Sequence, residues 1–202
     1  MKLLLDISET RAESLPDAVN TLLIGQLLTP LTMYTRWGDP YAIDNGAFTK
    51  FRADRFASLL ERESDCRGGC LFVAVPDVVG SARRTREIWQ YRNDMVPEGW
   101  PLAYVCQDGS ENIGIPWDEC EAVFIGGSTE WKMSANAAAI IKAAKVLGKH
   151  VHVGRVNTRR RFCHFDELGA DTCDGSGLAR YDWMLEKLTA TDDHPLFDPA
   201  KP

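Results

Sequence analysis

The sequence predicts an α/β fold of the compact TIM-type (β/α)8-barrel kind, with parallel strands in one domain. Three observations predict it. Short apolar runs alternate with amphipathic stretches along the chain, and that alternation specifies a parallel sheet with helices outside it. Up to eight such runs can be counted, the number that closes a barrel. Most runs are followed by small or polar residues that a core does not need. At 202 residues the chain lies near the lower limit of this fold, so connections must be short. A slightly reduced barrel and a doubly wound open sheet are the alternatives.

The apolar runs lie at 3–5, 22–24, 41–43, 71–75, 102–105, 122–125, 151–153 and, more weakly, 170–173. Several are rich in β-branched and aromatic residues, as buried parallel strands should be. Helix signals fall between them. Asp54 is placed to cap a helix carrying Phe56, Leu59 and Leu60, and Ser81 one carrying Ile88 and Trp89. Ser134 opens an alanine-rich stretch that Gly148 can stop, and Thr158 opens one with Phe162, Phe165 and Leu168 at helical spacing before Gly169. Nothing marks an internal linker. Residues 1–188 are therefore expected to form one barrel domain, and 189–202, rich in Pro and Asp, a loose tail.

Hydrophobic residues make up 45% of the chain and charged residues 26%, enough apolar material for a real core. The net charge of −6 argues against broad nonspecific nucleic-acid binding. It leaves room for local basic patches at Arg83, Arg84 and Arg86, or at Arg155, Arg159, Arg160 and Arg161. No apolar run approaches the roughly 18 residues of a membrane span, and the leucines at 3–5 are too few for a signal-peptide core. A cytoplasmic protein without a membrane partner is expected. Of the six cysteines, Cys106, Cys120 and Cys173 sit in or beside apolar runs and read as buried thiols. Cys66 and Cys70 form the only close pair, without a second ligand pair at zinc-site spacing. His150 and His152 share one side of a strand; ordinary hydrogen bonding is the expectation, a two-histidine metal site the alternative. Trp117 and Trp131 are read as packing residues, with stacking on a base as the alternative.

The strand ends carry the chemistry. Ile43 leads to Asp44-Asn45-Gly46-Ala47-Phe48, Val75 to Pro76-Asp77, and Val105 to Cys106-Gln107-Asp108-Gly109. Ile125 leads to Gly126-Gly127-Ser128, Val153 to Gly154-Arg155, and Thr172 to Cys173-Asp174-Gly175. In a βα-barrel these positions meet on one face around one pocket. Single Asp or Gly residues there often only cap helices or turn the chain, but capping does not demand an amide, paired glycines and three carboxylates together. Convergent carboxylates suit a two-step glycosidic exchange: one Asp attacks a sugar C1′ while another donates and accepts protons. A further carboxylate, an amide and backbone N–H groups can read a purine edge.

The ordered set of motifs, over roughly residues 41–177, resembles the queuine and archaeosine tRNA-guanine transglycosylases and, most closely, their DNA-acting relatives, the 7-deazaguanine DNA transglycosylases of phages and bacteria. Asp44-Asn45-Gly46-Ala47-Phe48 is similar to that family's Asp-Ser-Gly-Gly-Phe segment. Gln107 followed by Gly109 resembles its Gln-Gly-Gly strand end, and Phe124-Ile125-Gly126-Gly127 its Gly-Gly strand end. Val151-His152-Val153-Gly154, a helix, and Leu168-Gly169-Ala170-Asp171-Thr172-Cys173-Asp174 follow in the family's order. The resemblance implies a βα-barrel, Asp174 as nucleophile and Asp44 as general acid/base. It implies that Asp77, Gln107, Gly126 and Gly127 hold the base; Asn45, Gly154 and Arg155 flank these motifs and complete the candidate substrate-binding set.

The departures shape the expected partner. The tRNA enzymes place three cysteines and a histidine for zinc after the catalytic Asp; here no Cys follows Asp174 and His194 is the sole histidine there. No metal, cofactor or zinc subdomain is therefore expected, and DNA is favoured over tRNA, with a free purine or 7-deazapurine as the exchanging base. Arg155, Arg159, Arg160 and Arg161 are then candidates for phosphate contacts. A nucleosidase or base-exchange enzyme on free purine nucleosides is the second reading, and an inactive purine-binding barrel the third. A homodimer is left open.

Overall fold

The structure, a computed structural model, describes residues 1–189. Eight strands run β1 (Lys2–Leu5), β2 (Leu23–Leu28), β3 (Tyr41–Ile43), β4 (Cys70–Ala74), β5 (Leu102–Cys106), β6 (Ala122–Ile125), β7 (His150–Val153) and β8 (Thr172–Cys173). Each pairs in parallel with its sequence neighbours, and β8 closes on β1 through Lys2–Thr172 and Leu3–Cys173. The result is a closed TIM-type barrel, and the open-sheet alternative is excluded.

Side chains on a strand alternate between its faces, and this sorts the core into two shells. Leu4, Leu27, Ala42, Phe72, Ala74, Ala103, Val105, Ala122 and Phe124 fill the barrel interior. Four of these are alanines, which leaves room for the two phenylalanine rings to meet edge to face at 6.1 Å between centroids. The other face of the strands, including Tyr104, Val123, Ile125 and Val151, packs outward against Phe56, Trp89, Ile141 and Phe165. Burial of each large side chain contributes about 1.5–3 kcal/mol.

The same alternation loads the mouth of the barrel. Two residues beyond Leu4, Ala42, Val105, Phe124, His152 and Thr172 stand Asp6, Asp44, Gln107, Gly126, Gly154 and Asp174. Continuing the inward phase past the strand end points each of them into the C-terminal opening.

Ser81, Ser134 and Thr158 cap their helices as expected, accepting from the N–H groups of Arg84, Ala137 and Arg161. Gly148 and Gly169 take left-handed conformations at the helix ends, φ +68° and +86°. Asp54 is a correction. Helix Ala53–Arg62 begins at Arg52, which makes no side-chain cap bond. Asp54 instead lies in the first turn, where a negative charge faces the positive end of the helix dipole, paired with Arg52 at 3.4 Å. The weak run at 170–173 contributes only Thr172 and Cys173 to β8, and just before it the Asp171 carboxylate is tied to Lys145 at 2.6 Å and to the Val151 N–H at 2.8 Å. Of the expected tail, Thr189 belongs to the last helix, Asp182–Thr189; residues 190–202 lie outside the described residues. The six cysteines are free. Among the described residues no helix is long and apolar enough to cross a membrane.

Candidate active site

The C-terminal mouth holds a cavity of about 270 Å³. Asp6, Asp44, Asp77 and Asp174 line it together with Asn45, Gln107, Gly126, Gly154 and Arg155. Every residue expected at the site from sequence is there except Gly127.

One wall is built from β3, β4 and β5. Asn45 donates through Nδ2 to the Val75 carbonyl at 3.0 Å and to Asp77 Oδ1 at 2.9 Å. Its Oδ1 accepts from the Ala47 N–H at 2.7 Å. Gln107 Nε2 donates to Asp77 Oδ2 at 2.7 Å, and its Oε1 accepts from the Gly80 N–H at 2.9 Å. Each Asp77 oxygen is therefore oriented by an amide. Asn45 lines the cavity, but both its donor hydrogens are used within the wall, and one of them orients Asp77. Burial pushes the Asp77 carboxyl up while these two amides oppose the shift.

Asp44 belongs to this wall and is the most perturbed carboxylate of the site. Its Oδ1 accepts the Gly46 N–H at 3.0 Å. Burial pushes its pKa to about 7; the Gly46 N–H opposes, and the negative charges of Asp174 and Asp77 add to the rise. A pKa raised toward neutrality is the condition for donating and accepting a proton in turn.

The opposite wall comes from β7 and β8. Asp174 Oδ1 accepts the Arg155 backbone N–H at 3.1 Å, and Oδ2 lies 3.0 Å from His152 Nε2. Arg155 has φ +60°, a conformation rare for a residue with a Cβ. Its guanidinium holds it there, donating to the carbonyls of Gly126 at 3.0 Å and Gly127 at 2.9 Å. The Phe48 ring, from the loop after β3, lies 4.0 Å from the Arg155 guanidinium carbon. Arg155 is thus committed to the β6 strand end and is not extended toward a phosphate, a correction that follows from the two carbonyls having no strand partner at that height. Behind it, the buried Lys132 amine donates to the Gly154 carbonyl. Burial, then the nearby Arg155 charge, lower its pKa to about 8, against the pull of Asp174.

The glycines serve by close approach. A Cβ on Gly126 would stand 2.9 Å from Val105 and 3.0 Å from the Gln107 amide nitrogen; one on Gly154 would stand 2.6 Å from the Phe124 ring. The N–H groups of Gly126 and Gly127 both donate to the Cys106 carbonyl, at 2.9 and 3.1 Å. They are not free to read a base edge as expected. Gly127 lies outside the cavity, under Asp108 and Trp131, where a Cβ would come within 2.3 Å of the Asp108 carboxylate.

Asp6 is an addition to the residues expected from sequence. Its Oδ1 accepts from Thr32 Oγ1 at 2.8 Å, with Thr29 Oγ1 at 3.5 Å from Oδ2, and burial raises its pKa against both. The signal is present in the sequence, since Asp6 follows the run at 3–5 by the same rule as the other strand-end residues. Arg180, from helix Ser176–Arg180, also lines the mouth. The remaining alternatives fall to burial and contact. Cys106 is fully buried, and desolvation pushes its thiol up, which disarms it as a nucleophile. Trp131 is buried, its indole donating to Glu111 at 3.0 Å, and Trp117 packs against the outer core. His150 and His152 both bond to Thr172. Among the described residues no group of three or more His, Cys, Asp or Glu is placed to hold a metal ion.

A scan against protein-family models and a search of curated proteins each returned no match. Two solved structures are similar in backbone. One is a cube-shaped, highly porous protein cage designed by fusing symmetric oligomeric domains: TM-score 0.45, 16% identity, 93% of this chain and 67% of that one. The other is a native KDPGal structure: TM-score 0.39, 16% identity, 93% of this chain and 87% of that one. The chemistry of the site rests on its own residues.

Proposed function

We propose that this chain is a pentosyltransferase that exchanges guanine for a 7-deazaguanine-type base in nucleic acid, DNA in preference to tRNA, through an aspartyl glycosyl-enzyme intermediate. One observation carries the reading: two carboxylates face one pocket in opposite environments. Asp174 meets an N–H donor on Oδ1 and an imidazole nitrogen on Oδ2. Asp44 is half-buried, and desolvation, with the charge of Asp174 adding to it, pushes its pKa to about 7. Carboxylates with separated environments mark an acid/base and nucleophile division of labour.

In the first step an Asp174 oxygen attacks C1′. The C1′–N9 bond breaks with its electron pair on the base, and protonated Asp44 delivers a proton to that base. In the second step ionised Asp44 takes the N9 proton of the incoming base, N9 attacks C1′, and the Asp174 carboxylate leaves. Asp77, oriented by Asn45 and Gln107, accepts from the N–H groups of the purine edge. The cavity is too small for a stacked duplex, so the target nucleotide enters flipped out of the helix.

The acidic lining favours a second reading. Among the described residues, Asp6, Asp44, Asp77 and Asp174 share the mouth with two basic side chains, Arg155 and Arg180, a poor field for phosphates; a free purine nucleoside fits that field better. Incubation with labelled guanine and duplex DNA, single-stranded DNA, tRNA or deoxyguanosine separates the two. Asp174-dependent label in DNA supports the proposal, label only in the nucleoside moves it to the second reading, and hydrolysis without label makes the chain a nucleosidase.

A further inference from the structure

The barrel interior is apolar from β1 to β6, but β7 and β8 turn His150, His152 and Thr172 inward. His152 and Thr172 are buried almost completely. The His152 ring lies 4.9 Å from the Phe72 ring and 4.6 Å from Phe124 between centroids. A polar group in such surroundings destabilises the fold unless its donors and acceptors all find partners. Here they form one chain: His150 Nε2 to Thr172 Oγ1 at 2.8 Å, Thr172 Oγ1 to His152 Nδ1 at 2.9 Å, and His152 Nε2 to Asp174 Oδ2 at 3.0 Å.

We propose that this buried chain locks His152 as the Nε2–H tautomer and makes it the positioning residue for Asp174, fixing the plane of the attacking carboxylate. The proposal rests on reading Asp174 as the nucleophile. For a neutral His152 beside an ionised Asp174, the hydrogens allow one polarity. An ionised carboxylate only accepts, so His152 Nε2 carries a hydrogen toward Asp174. Thr172 has a single hydroxyl hydrogen, which goes to the bare His152 Nδ1. The Thr172 oxygen then accepts from His150, which burial keeps neutral and which therefore carries its one ring hydrogen on Nε2. With Arg155 N–H on Oδ1 and His152 on Oδ2, the carboxylate is held at both oxygens and cannot rotate. The other charged groups around it, Asp44 and Lys132, exert their fields without a hydrogen bond to it. An inward histidine at this strand position has no packing advantage over the apolar residues that line the other strands.

Three variants and one spectrum test this. The Gln side-chain nitrogen of His152→Gln can replace Nε2–H, whereas His152→Leu removes the donor. Thr172→Val exchanges one hydroxyl for a methyl and leaves the tautomer unsupported. In base exchange, the Leu variant is expected to lose about tenfold or more in kcat with KM within about twofold, because a misaimed group costs rate and not binding. The Gln variant should return to within about threefold of wild type, and the Val variant should fall between them. Imidazole nitrogen NMR of the wild-type protein should show His152 protonated at Nε2, with that proton signal moving in Asp174→Ala. An Nδ1–H tautomer, or unchanged kcat in a folded Leu variant, overturns the inference and leaves the exchange reaction standing. If the His152→Leu variant does not fold, a folded but inactive His152→Gln variant overturns it equally. Absence of exchange by the wild-type protein overturns the reading of Asp174 instead, and the tautomer with its response to Asp174→Ala then decides the inference alone.

Discussion

Asp44 and Asp174 line one cavity at the mouth of one barrel, each two residues past a buried side chain of its strand, and the walls that hold them differ. The β3–β5 wall gives Asp44 only backbone N–H groups and surrounds it with acid, Asp77 beside it and Asp174 across the cavity. The β7–β8 wall gives Asp174 a donor on Oδ1 and an imidazole on Oδ2, with the Lys132 amine buried behind the same strand end. Position alone does not assign a carboxylate its role; the hydrogen inventory of the wall behind it does. On the proposed reading, the first wall lets a proton come and go, and the second fixes the orientation of the attacking carboxylate.

The largest effect expected from this contrast is at the second wall. Asp174→Ala should abolish base exchange, by about 10⁴-fold or more in kcat, with the circular-dichroism spectrum unchanged, because it removes the proposed nucleophile itself. Asp44→Asn should lower kcat by about 10²–10⁴-fold, the usual worth of a general acid/base. A milder loss in Asp44→Asn than in any other pocket variant would break the contrast.

Stability gives the opposite ranking. The Asp44 carboxyl titrates at about 7 in the folded chain against an ordinary value of 3.8, so between those values the folded state binds the extra proton. Stability attributable to this group is full below about pH 4 and falls as pH rises through 7. Asp44→Asn should therefore stabilise the protein at pH 8 by an amount on the order of 2–4 kcal/mol, and by close to nothing at pH 4, in urea unfolding. Lys132 sharpens the comparison from the other side. Its folded value of about 8 lies below the ordinary value of 10.5, so the folded state sheds the proton first and stability rises from pH 8 to pH 10. Lys132→Met should flatten that rise, by about 2 kcal/mol. The smallest effect is expected from Gly126→Ala. Its Cβ would stand 3.0 Å from the Gln107 amide and should displace it from Asp77, lowering kcat/KM by about tenfold and stability by about 1 kcal/mol, the low end of the cost of overpacking, because the crowded atoms are side-chain ends.

The barrel is legible in the sequence because apolar runs and period-two alternation are local properties. Asp44, Gln107, Gly126, Gly154 and Asp174 can be found because each sits just past such a run. Asp6 obeys the same rule but is followed by Ile7, which blurs the end of the run, and Thr29 and Thr32 that hold it lie on another strand end. The run at 22–24 makes β2 look too short, because Gly25 and Gln26 interrupt it; the buried Gln26 amide donates to the Ile7 carbonyl at 2.8 Å, a partner no local pattern reveals. Asp54 resembles a cap because it precedes the apolar face of its helix, yet the helix starts earlier. The bridging role of Asn45 and the inward fold of Arg155 depend on pairings between different strand ends, which only the closed barrel creates.

The most direct test of the account is a trap of the intermediate itself. The protein would be incubated with labelled DNA, without added base, then denatured and read by mass spectrometry for DNA covalently joined to the chain. The account predicts an adduct on Asp174, lost in Asp174→Ala and cleared when guanine is added before denaturation. No adduct from a protein that exchanges labelled guanine into DNA, or an adduct that persists in Asp174→Ala, would contradict it.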